Sequence, residues 1–135
     1  MADRNTSTTE SADKPVPTLS DGHGYPTDEA LDFLRTFTGT AHQLVDHLTE
    51  AMRAYGGVKV ERITDDWDRP IREVYMATGG WSGNESIISH LERSFFWFAY
   101  WESSRRGGAY TFHVPEDRWD EPMIEWPPAV NYPPG

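Results

Sequence analysis

Apolar residues recur along this chain with two different periods, and the switches between them mark out the expected elements. Leu31, Phe33, Leu34 and Phe37 form one helical stripe behind Thr27, a suitable N-cap with Asp28 and Glu29 in the first turn, where the helix dipole favours acids. Gly39 interrupts that stripe. Thr40-Ala41-His42-Gln43 has capping-box spacing, so a second helix is expected to carry Leu44, Val45, Leu48, Ala51 and Met52 as far as Gly56-Gly57. The period then shortens. Residues 58–63 alternate loosely and 72–78 more clearly, with a hairpin loop over 64–70 that holds Asp65, Asp66, Trp67 and Asp68. A helix is predicted over 84–104, ended by Arg105-Arg106-Gly107-Gly108. A last strand over 109–114 puts Tyr110, Phe112 and Val114 on one face and Thr111 and His113 on the other.

The order ααββαβ predicts an α+β domain. It has a small, mostly antiparallel sheet of about three strands, with the N-terminal helices and one long aromatic helix packed on it. This patterned region is 25–114. Residues 1–24 are polar and aperiodic and read as a disordered leader. Residues 115–135 read as a proline-rich acidic C-terminal arm. Its Trp119, Met123, Ile124, Trp126 and Tyr132 are expected to pack on the domain or on a neighbour.

Composition narrows the function classes. The chain has 135 residues, no cysteine and a formal net charge of -10. Disulfides, thiolate metal sites and thiol catalysis are therefore excluded. An acidic chain gains nothing from counterion release, so direct nucleic-acid binding is not expected. The longest apolar run, 95–101, is far shorter than the roughly 20 residues of a membrane span, and no membrane partner is expected. That run is apolar around its whole helical circumference. Its covering is expected from an internal core or from a homo-oligomer contact through the aromatic helix.

The candidate chemistry concentrates in Thr78-Gly79-Gly80-Trp81-Ser82-Gly83-Asn84-Glu85, between a strand and a helix. Two readings stand. Ser82 and Glu85 have capping-box spacing, and the glycines then serve only a tight turn. Alternatively Gly80, Trp81, Ser82, Gly83 and Asn84 wall a ligand site: amides at a helix start and a serine hydroxyl take an anionic group while Trp81 stacks on a ring. The loop has no lysine and is neither a P-loop nor GxGxxG. Arg105 and Arg106 are candidate anion contacts too. On a continuous helix they lie roughly 30 Å from Ser82, so they are expected to reach it only from a second subunit.

Other constellations are weaker. Asp65, Asp66 and Asp68 lack the glycine and distal glutamate of a calcium loop. His42 and His47 are five apart, off one helical face, and no metal is expected. Glu85, His90 and His113 are proton-transfer candidates that no spacing selects, so no catalytic residue and no cofactor are assigned and a non-enzymatic role is favoured.

The runs Ala77-Thr78-Gly79-Gly80-Trp81-Ser82-Gly83-Asn84-Glu85 and Ser104-Arg105-Arg106-Gly107-Gly108-Ala109-Tyr110-Thr111-Phe112, with Phe96-Trp97 and Tyr100-Trp101 between them, resemble small uncharacterised proteins of bacteriophages and prophages. The resemblance covers about 25–114 and includes Tyr25-Pro26-Thr27. It implies an accessory protein in the cytoplasm of an infected bacterial cell. Such a protein would act as an inhibitor of host defence or as a binder that sequesters an anionic, nucleotide-like ligand. The alternatives are an acidic inhibitor that binds a basic host protein through its surface and C-terminal arm, and a virion-associated structural protein.

Overall fold

In the computed structural model residues 16–23, 25–52 and 55–124 are described. Two helices come first, α1 (Asp28–Arg35) and α2 (Ala41–Ala51), each started by its expected cap. Thr27 Oγ1 accepts from Ala30 N at 3.0 Å, and at Thr40 both arms of the capping box form with Gln43. The chain then builds β1 (Gly57–Thr64) and β2 (Pro70–Ala77), α3 (Ser82–Leu91), α4 (Phe95–Tyr100), β3 (Trp101–Arg105) and β4 (Ala109–Pro115). A 3-10 turn, Glu116–Arg118, follows. The fold is α+β with a four-stranded antiparallel sheet in the order β1-β2-β4-β3. Among the described residues no helix is long and apolar enough to cross a membrane.

Two expectations are corrected. The sheet has a fourth strand, and the long aromatic helix is two helices followed by that strand. The break falls at Ser94, whose Oγ donates to Leu91 O at 2.6 Å and accepts from Trp97 N at 3.2 Å. The hydroxyl thus closes one helix and caps the next. Trp101 leaves the helical region at φ -61°, ψ 132°, and Trp101–Arg105 then pairs with β4. Arg105-Arg106-Gly107-Gly108 is therefore a hairpin turn rather than a helix terminator, with Gly107 and Gly108 at positive φ.

All the helices cover one face of the sheet. Leu34, Leu44, Leu48 and Met52 meet Val74, Met76, Phe112 and Val114, and Ile87, Leu91 and Phe96 complete the core. Residues facing each other across antiparallel strands share a face. Lys59, Tyr75 and Thr111 therefore lie in one row on the opposite side, and Glu61, Glu73 and His113 in the next. Those two rows are mainly polar, and the next, Ile63, Ile71 and Pro115, is apolar.

Of the expected leader, residues 1–15 and 24 lie outside the described residues. Residues 16–23 run beside α1, where Thr18 O accepts from Thr27 Oγ1 at 3.1 Å. Of the expected C-terminal arm, 125–135, with Trp126 and Tyr132, lie outside as well. Residues 115–124 return to α2: His42 N donates to Trp119 O at 3.0 Å and Met123 N to Gly39 O at 2.9 Å. Trp119 and Met123 are buried. The Arg72 guanidinium sits 5.2 Å from the Trp119 ring centroid and makes bonds of 2.7 and 3.0 Å to the two Glu116 carboxylate oxygens.

This fork gives a pH prediction. Hydrogen bonds from Arg72, then the charges of Arg72 and Arg62, hold the Glu116 carboxyl below its ordinary value of 4.5 against the opposing effect of burial. A carboxylate with a lowered folded pKa contributes stability above its unfolded value and loses it as pH falls through the folded value. Glu116→Gln should therefore lower the melting temperature at neutral pH, and the gap to wild type should close as pH falls below 4.5. Thermal melts across an acid pH series read this directly; a gap independent of pH would contradict it.

Candidate functional site

The glycine bend between β2 and α3 is built around Thr78, which is fully buried. Its Oγ1 accepts from Gly80 N at 3.2 Å and its carbonyl from Trp81 N at 3.3 Å and Asn84 Nδ2 at 3.0 Å. Its N–H donates to Gly108 O at 3.0 Å. Gly79 and Gly80 both take positive φ, 66° and 77°. At Gly79 the backbone must also be bare, because a Cβ there would be driven into the Tyr55 carbonyl.

The expected site residues separate under this geometry. Asn84 is buried and ties α3 to Thr78, so its amide is structural. Gly83 is buried under the Trp81 indole, whose ring carbons would lie 2.6 Å from a Cβ at that position. Trp81 packs between Tyr25 and Tyr55, at centroid distances of 4.8 and 5.3 Å, rather than standing clear as a stacking platform. It is also the N-cap residue of α3. Ser82 is the first helical residue and makes no capping bond, so the Ser82–Glu85 capping box is not formed.

At the start of α3 Ser82 stays exposed, beyond the exposed Gly79 and Gly80 and the half-buried Trp81. The N–H groups of Ser82 and Gly83 have no acceptor among the described residues. Helix-opening amides of this kind carry a partial positive charge and accept anions.

The largest departure from expectation concerns Arg105 and Arg106. The chain reverses at α4, so β3 and β4 return the turn 106–108 to the glycine bend. Gly108 abuts Thr78, where a Cβ would strike Oγ1, and Ala109 pairs with Ala77 at the end of the ladder. The separation of roughly 30 Å inferred for a continuous helix does not hold, and no second subunit is needed to bring the two segments together. Both arginines are exposed and form no ion pair among the described residues. In a chain of net charge -10 the β3–β4 turn, packed against the glycine bend through Gly108, thus carries two cations with no ion pair among the described residues.

The remaining candidates lie elsewhere. His113 sits on the sheet face away from the helices, with Nε2 2.9 Å from Glu73 Oε2 and Nδ1 3.6 Å from Glu102 Oε1. His90 Nδ1 lies 3.0 Å from its own helix carbonyl, Ser86 O. Asp65 takes the N–H groups of Trp67 and Arg69 and is a turn organiser. No group of three or more His, Cys, Asp or Glu among the described residues is placed to hold a metal ion.

Sequence reasoning missed a cavity of about 310 Å³ between α1 and α2, walled by Phe33, Phe37 and His47 with Asp46 at its rim. The three rings stand edge to face at 5.3 Å from one another. Burial lowers the His47 pKa against the pull of Asp46 and favours the neutral imidazole. The spacing of Phe33 and Phe37 marked one helix face but held no sign of a partner from α2.

Comparison with family models, with curated proteins and with solved structures finds no match.

Proposed function

We infer that the chain is a non-enzymatic binding module that takes an anionic group where the β3–β4 turn meets the start of α3. One observation carries this reading. The Thr78–Gly108 hydrogen bond sets the β3–β4 turn, which follows Arg105 and carries Arg106, against the glycine bend that leads into α3, within a single chain. The arginines supply charge and forked donors, and the amides and the Ser82 hydroxyl supply neutral donors. A phosphorylated ligand fits that donor set. The resemblance to phage and prophage proteins supports a setting inside an infected bacterium, with sequestration of a nucleotide-like ligand of host defence as the biological role.

Calorimetry with linear and cyclic nucleotides tests the reading. The expected result is saturable heat with wild type and an affinity at least about tenfold weaker for Arg105→Ala/Arg106→Ala. Both side chains are exposed, so this variant should keep its melting temperature. Absence of heat with every nucleotide, or binding untouched by the double substitution, would contradict it.

A second reading has its own observation. Glu61 and Glu73 share a row on the open sheet face with His113, and Glu102 reaches the same histidine. That row and the net charge of -10 suit an inhibitor of a basic host protein. Capture of such a protein, lost on Glu61→Gln/Glu73→Gln and kept on Arg105→Ala/Arg106→Ala, would favour it.

A further inference from the structure

We propose that the exposed edge of β1 pairs with the same edge of a second copy of this chain, antiparallel and centred on Val60, to make a continuous sheet across a two-fold axis.

The two edges of the sheet differ in kind. β3, at one edge, has five residues and a register break between Trp101 and Ser103. Short length and irregularity are the usual protections of an edge. β1, at the other, has eight residues paired without interruption to β2 and contains no proline and no bulge. Its outward N–H and C=O groups form a regular template. An edge left in that form either carries charges that repel another strand or has a strand that fits it.

The charges on β1 fit a copy of itself. An antiparallel pair centred on Val60 sets Lys59 opposite Glu61 of the second copy, and Glu61 opposite its Lys59. Both residues lie on the sheet face away from the helices, in register with Tyr75 and Glu73. Two opposite-charge pairs thus form across the axis with no like-charge pair. On the helix-covered face the same register brings Val60 against Val60. Val60 is in register with Val74, which is fully buried, yet is itself 37% exposed. A second copy adds cover on the exposed side of Val60. Val58 meets the aliphatic stem of Arg62, and Gly57 meets Ile63. A contact of this sort uses one patch on both partners, as a closed two-fold dimer requires. Moving the centre by one residue, to Lys59 or Glu61, places like charges against each other on the axis, so the pattern selects one register.

This contact does not involve the aromatic helix from which an oligomer was expected. Phe96 there is fully buried in its own chain, and Phe98 and Trp101 remain exposed. The proposal is also independent of the anion site, which lies on the β2–α3 and β3–β4 connections.

Sedimentation equilibrium on the full chain, across micromolar concentrations, tests it. The expected result is a reversible monomer–dimer equilibrium. Lys59→Glu alone and Glu61→Lys alone should each weaken it at least about tenfold, since each sets like charges together twice. The Lys59→Glu/Glu61→Lys double variant should restore it, because the pairs reform with signs exchanged. Phe98→Ala should leave it unchanged. Circular dichroism checks that each variant folds; all three positions are exposed. A monomer at every concentration would overturn the proposal. So would a dimer indifferent to the single exchanges, one not restored by the double exchange, or one lost with Phe98→Ala.

Discussion

Phe96→Ala should lower the stability of the fold by about 3–5 kcal/mol, the range for removing a fully buried aromatic ring. Phe96 is completely buried, with its ring 4.9 Å from Phe112 and 5.6 Å from Tyr100. With Trp97, whose ring lies 5.2 Å from Phe112, it anchors the short helix α4 to the sheet. Its neighbour two positions on gives the contrast. Phe98 is 66% exposed, so Phe98→Ala should change stability by less than about 0.5 kcal/mol. A helix apolar on all sides and buried on all sides would make both substitutions severe. Chemical denaturation of the two variants separates these outcomes, and equal losses would mean that α4 is covered on its outer side as well.

The second large effect is expected at the glycine bend. Gly79→Ala should destabilise by on the order of 3 kcal/mol, combining a positive-φ penalty with a backbone clash. Gly79 has φ 66°, and a Cβ there would meet the Tyr55 carbonyl, which belongs to main chain and cannot rotate away. Gly80 isolates the first term. Its φ is 77°, but nothing lies within 4 Å of an added Cβ, so Gly80→Ala should cost only about 1 kcal/mol. The comparison matters for function, because it separates a glycine needed for packing from one left facing solvent at the candidate site. Equal effects at the two positions would contradict the close approach of Tyr55 to Gly79.

Much of this architecture was legible in the residues. Thr27 and Thr40 announced their helices because a side-chain oxygen and a first-turn pattern are local signals, and both caps form. The α+β class followed from the change of period at Gly56-Gly57. The region 84–104 reads as one helix for a physical reason. Seven successive apolar residues fit a buried helix or a buried strand equally well, and periodicity cannot separate them. Ser94 was the available signal: a serine whose hydroxyl caps the following turn reads as a break, but Leu91 and Phe95 on either side keep the helical stripe running. A helix that runs through that break puts Arg105 and Arg106 a helix length from Ser82. The hairpin turn that joins them to Thr78 is a long-range contact, and no local pattern encodes it. The loop itself was read in outline only. Its glycines make the expected tight turn and Ser82 is exposed, whereas Trp81 packs on Tyr25 and Tyr55, partners distant in sequence, and Asn84 is held by Thr78. Such positions, where long-range packing overrides local expectation, are where reasoning from a single sequence is weakest.

The central claim is that anion affinity belongs to the junction of the β3–β4 turn with the start of α3. A backbone-resolved NMR titration of the ¹⁵N-labelled chain with a nucleoside phosphate tests it most directly. The account predicts saturable shifts confined to the amides of Gly80, Ser82 and Gly83 and to Arg105, Arg106 and Gly107, with the same residues silent in Arg105→Ala/Arg106→Ala. Shifts gathered instead around Phe37 and His47, or none at saturating ligand, would contradict it.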